Sequence, residues 1–64
     1  MGLRTQIMEI LFIDDDGKLI HATDDIFIPI KGDIIYIKFG YYRVAERVID
    51  YPKGVINIEL EDLK

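Results

Sequence analysis

The chain has 64 residues, half of them hydrophobic, with twelve acids against eight bases for a formal net charge of −4. A chain this short builds one core and folds as a single domain over residues 1–64, and with no cysteine it has neither a disulfide nor a thiolate metal site to reinforce it. The acidic balance argues against a phosphate-tracking nucleic-acid binder, and the absence of serine as well as cysteine removes the common nucleophiles of covalent catalysis.

In chain order, Leu3 to Ile13 reads as a first strand, with Ile7, Leu11 and Ile13 on one side and Met8, Ile10 and Phe12 on the other. The spacing of Leu3, Ile7, Ile10 and Leu11 also suits one face of a helix, so that segment stays open between strand and helix. Asp14-Asp15-Asp16-Gly17 is a hairpin turn in which the glycine supplies a positive φ. Lys18 to Thr23 returns as the second strand, and Ile26 to Ile28 is an extended run that Pro29 confines to an edge or a bend. Ile30-Lys31-Gly32-Asp33 turns the chain, Ile34 to Lys38 is a strand, Phe39-Gly40 reverses it and Tyr41 to Asp50 is a long return strand. Pro52-Lys53-Gly54 then leads into Val55 to Leu60.

Thirteen isoleucines favour the pleated sheet, and short strands at regular spacing without a helical period predict an all-β domain: a small five-stranded SH3-like barrel or curled antiparallel sheet. So much apolar surface on so small a domain also predicts self-association as a homo-oligomer or contact with a partner protein. No run of the length and apolarity of a membrane span is present, and the N-terminus lacks the pattern of an export signal, so the expected location is the cytoplasm.

The stretch Pro29-Ile30-Lys31-Gly32-Asp33-Ile34-Ile35-Tyr36-Ile37, followed by Tyr42-Arg43-Val44 and Ile56-Asn57-Ile58, resembles small SH3-like barrel proteins of phages and bacteria over residues 29–60. That resemblance implies a small accessory or inhibitory factor of a phage or mobile element. More distantly it resembles the KOW segment of ribosomal and transcription-elongation proteins, which would imply RNA contact. This chain has Tyr42, Arg43 and Ala45 where that family carries further glycines.

Three residue groups invite a chemical reading. His21, the only histidine, lies between Ile20 and Ala22 on a strand, where a structural role outweighs a catalytic one. The three consecutive aspartates lack the alternate spacing and closing glutamate of a calcium loop and read as a solvated turn, so no metal or other cofactor is expected. No glycine-rich phosphate loop is present.

Alternation along the long fourth strand predicts Tyr41, Arg43, Ala45 and Arg47 on one face, with Lys38 and Tyr36 extending the patch if the strands pair about Gly40. Tyrosine and arginine are hot-spot residues, so Tyr36, Lys38, Tyr41, Arg43 and Arg47 form the candidate binding surface of a non-catalytic protein-binding module. Two other readings fit: a homo-oligomer holding a small anion such as a nucleotide on Arg43 and Arg47, or single-stranded nucleic acid stacked on Phe39, Tyr41 or Tyr42. A plain solvent face, with the arginines paired to Glu46, Glu59 or Glu61, is the competing structural reading.

Overall fold

The computed structural model describes residues 8–24 and 27–63. Five strands follow one another: β1 Glu9–Ile13, β2 Leu19–Thr23, β3 Ile34–Ile37, β4 Gly40–Asp50 and β5 Val55–Asp62. They form one sheet in the order β2-β1-β5-β4-β3. The domain is all-β, as expected, and its mixed sheet curls into a half-barrel, consistent with a small SH3-like barrel or curled sheet. The segment before residue 8, where strand and helix were both open, lies outside the described residues.

Every ladder is antiparallel except β1 with β5, which run in the same direction with Ile10 beside Ile56 and Phe12 beside Ile58. The one parallel ladder makes the sheet mixed, and it follows from arithmetic. Successive strands of a meander alternate in direction, so the first and fifth point the same way and can pair only in parallel. The half-barrel is open between β2 and β3, the two edge strands. Phe27 and Ile28 of the expected extended run join no ladder, as a segment carrying Pro29 would, and Ile26 lies outside the described residues.

Curling buries one side of the sheet. Ile10 and Phe12 from β1, Val44 from β4, and Ile56, Ile58 and Leu60 from β5 make the core, with Met8, Ile20, Ile35, Ile37 and Tyr42 packed against it. β5 alternates from Val55 to Glu61, with Ile56, Ile58 and Leu60 buried and Glu59 and Glu61 exposed, because it is flanked on both sides and must satisfy the core with one face.

Local chemistry explains the turns. At the β1–β2 turn the Asp14 carboxylate accepts hydrogen bonds from the backbone N–H of Asp16 (3.0 Å) and of Lys18 (2.9 Å), while Gly17 sits at φ 81° and its N–H donates to the Asp14 carbonyl. Asp14 is thus a turn-builder. At the 30–33 turn the Asp33 carboxylate accepts from Ile30 N–H (2.9 Å), and this turn docks on β4 through Gly32 N–H to the Val44 carbonyl (2.9 Å) and Val44 N–H to the Asp33 carbonyl (2.8 Å).

Candidate functional site

The β3–β4 hairpin departs from its sequence reading by one residue. Ile37 faces Gly40, so the two loop residues are Lys38 and Phe39, not Phe39 and Gly40. Both lie in the left-handed region, at φ 51° and φ 67°. A two-residue hairpin loop needs this conformation at both positions to match the twist of its strands, and it is ordinarily built from asparagine and glycine. For L-residues with a Cβ the left-handed conformation costs roughly 1–2 kcal/mol each. The register that imposes it is fixed elsewhere: Ile35 opposite Tyr42 and Ile37 opposite Gly40 turn their side chains toward the core. Gly40 serves a different purpose, since a Cβ there would lie 3.3 Å from the Tyr42 ring.

The strained loop carries an unsheltered phenyl ring. Phe39 is 93% exposed, and Tyr36 and Tyr41 behind it are each more than half exposed. These tyrosines face each other across the ladder with ring centroids 4.9 Å apart at 51°, a tilted pair that fixes both rings on the outer side of the sheet. Ile34, opposite Arg43, extends the apolar surface on that side. Lys38 makes no ion pair among the described residues, and residues 34–45 contain no acid. The result is a basic, aromatic prong on an acidic protein.

Of the five residues expected to form one surface, four come together: Tyr36, Lys38, Tyr41 and Arg43. Arg47 does not. Its separation has a definite cause. Val44 pairs with Leu60 but Glu46 with Glu59, so Ala45 is an extra residue in a β-bulge. The bulge resets the alternation, placing Arg47 beside the buried Ile58 on the inner side while Arg43 lies beside Glu61 on the outer side. Sequence reasoning extended period two through a position where it is interrupted. It also left Phe39 out of the protein-binding surface; the signal available was a large apolar residue in a loop position.

Arg43 donates to Glu61 at 3.1 Å and Lys31 to Glu46 at 3.2 Å, so the cross-strand pairing weighed for Arg43 is present. Both partners of the first pair are about half exposed, and such pairs contribute little. A double-mutant cycle on Arg43→Ala and Glu61→Ala, read by chemical denaturation, is expected to give a coupling of at most about 0.5 kcal/mol. A coupling several times larger would mean the pair is shielded from solvent.

Elsewhere, the His21 ring lies 5.5 Å from Phe12, tilted by 44°, which agrees with a packing role. The carboxylates of Asp14, Asp15 and Asp16 lie within 4.8 Å of one another, but that of Asp14 is already engaged in building the turn. A hollow forms where β5 runs on past the end of β1, lined by Ile13, Ala45 and Leu60 with Asp14, Asp15, Glu59 and Glu61 around it. No helix among the described residues is long and apolar enough to cross a membrane. No family model, curated protein or solved structure matches this chain.

Proposed function

We propose that this chain is a non-catalytic binding module that acts by protein–protein contact through its β3–β4 hairpin. The observation that carries the reading is Phe39, a large apolar side chain held fully in solvent on a loop whose two residues both sit in an unfavourable backbone conformation. Strain of this kind persists where it serves a purpose, and aromatic anchors beside a cation are what protein interfaces concentrate their binding energy in. Tyr36, Tyr41 and Ile34 supply flanking area and Lys38 a polar contact. A small accessory or inhibitory factor is the biological form such a module suits.

The anion-binding reading is weaker, because Arg43 is engaged with Glu61 and Arg47 lies on the opposite side of the sheet. Stacking of single-stranded nucleic acid on the same rings is opposed by the net charge of −4.

Immobilised wild-type chain is expected to retain a protein from extracts of its native host in stoichiometric amount, and the variants Phe39→Asp and Tyr41→Ala to lose at least nine-tenths of it, roughly the loss of 1.4 kcal/mol or more. Equal retention by all three proteins would place the contact elsewhere. Retained material that is oligonucleotide, released by moderate salt, would replace this reading with the nucleic-acid one.

A further inference from the structure

We infer that the hairpin prong also has a receptor on this same chain, so that two copies associate with the Phe39 of each in the hollow of the other. This rests on the hairpin being the contact surface and names a second copy as its partner. The hollow is complementary to the prong in shape and in charge. Its volume is about 660 Å³, ample for a phenyl ring, and the half-buried Ile13 and Ala45 give it an apolar floor. Asp15, Glu59 and Glu61 are exposed at its rim, so the hollow is an apolar site in an acidic surround. The prong presents the converse, an apolar tip beside Lys38, which makes no ion pair among the described residues.

Placement permits the exchange to be mutual. Ladder pairing puts Ile13 beside Glu59, Glu61 beside Arg43 and Tyr36 beside Tyr41, and alternation along β4 and β5 keeps all of these on the outer side of the sheet. Prong and hollow therefore open on one face, separated across it. A two-fold axis lying along that face midway between them brings each prong over the other copy's hollow. The contact is then made twice and closes on itself, giving a dimer rather than a chain. Lys38 of one copy meets Asp15 and Glu59 of the other, which offsets the repulsion between two molecules of net charge −4.

A charge exchange tests the arrangement, read by sedimentation velocity across a concentration series from micromolar to millimolar. Lys38→Glu alone, and Asp15→Lys alone, are each expected to weaken dimerisation at least about tenfold, because each puts like charges together twice. An equimolar mixture is expected to recover most of the lost dimerisation, since in the mixed pair residues 38 and 15 carry opposite charges at both contacts. Asp14 is left untouched because it builds the turn, and Phe39→Asp provides an independent loss of the apolar contact. Matching far-ultraviolet circular dichroism and unfolding curves establish that the variants fold. A wild-type chain that stays monomeric throughout overturns self-association while leaving the hairpin's contact with another protein to the retention assay. A dimer indifferent to Phe39→Asp, or a mixture that fails to recover, overturns the pairing of prong with hollow. Mass that grows without limit as concentration rises overturns the two-fold arrangement.

Discussion

Truncating Ile58 to alanine is expected to remove about half of the domain's stability. Ile58 is fully buried, with relative exposure of 0%, on the strand at the middle of the sheet, beside Phe12 on one neighbour and Arg47 on the other. Removing three carbons from such a site loses their transfer free energy and leaves a cavity that the flanking ladders hold open, at about 3–4 kcal/mol. A domain of this size has only several kcal/mol in total, at ~0.1 kcal/mol per residue. Thermal unfolding followed by circular dichroism checks it, with Ile58→Val as the graded control expected to cost about 1 kcal/mol. A melting temperature for Ile58→Ala close to that of Ile58→Val would mean that the core collapses around the lost atoms.

The second large effect has the opposite sign. Replacing Lys38-Phe39 with Asn-Gly is expected to stabilise the fold by about 1 kcal/mol or more, because both residues occupy left-handed backbone that asparagine and glycine adopt readily. Glycine's extra freedom in the unfolded chain takes back part of the relief, which is why the gain is less than the sum of the two strains. For a domain of this length the change corresponds to a melting temperature higher by roughly 4–8 °C. Phe39 is almost wholly solvated, so losing it removes no core contact. The same variant is expected to lose partner retention and self-association, and that divergence separates a surface kept for binding from one kept for folding. An unchanged or lower melting temperature would show that the loop is not strained.

What the sequence reveals about this fold depends on how local each determinant is. The turns at Asp14–Gly17 and Ile30–Asp33 are legible because an aspartate and a glycine a few residues apart both cap and bend the backbone. The position of the β3–β4 reversal is not, because Lys38 and Phe39 carry no turn chemistry and the loop is imposed by burial of Ile35, Ile37 and Tyr42. The parallel pairing of β1 with β5 is fixed by the number of strands, which no local pattern states. For the candidate surface, alternation correctly groups Tyr41 with Arg43, and hairpin pairing brings in Tyr36 and Lys38. It fails at Arg47 because one inserted alanine, unremarkable in sequence, reverses every side chain beyond it.

The strand order has a consequence for synthesis. β5, the last strand to be made, is the middle strand of the sheet, and its partner β1 is the first. Ile10 and Ile56, neighbours in the core, are 46 positions apart along the chain. Until β5 emerges, the nascent polypeptide holds two separate hairpins, β1 with β2 and β3 with β4, neither able to bury an apolar face against the other. Isolated hairpins are marginal in water. The two hairpins therefore come together in one late step, when β5 is available to pair with both. Until then its isoleucine-rich strands lack the partner that buries them.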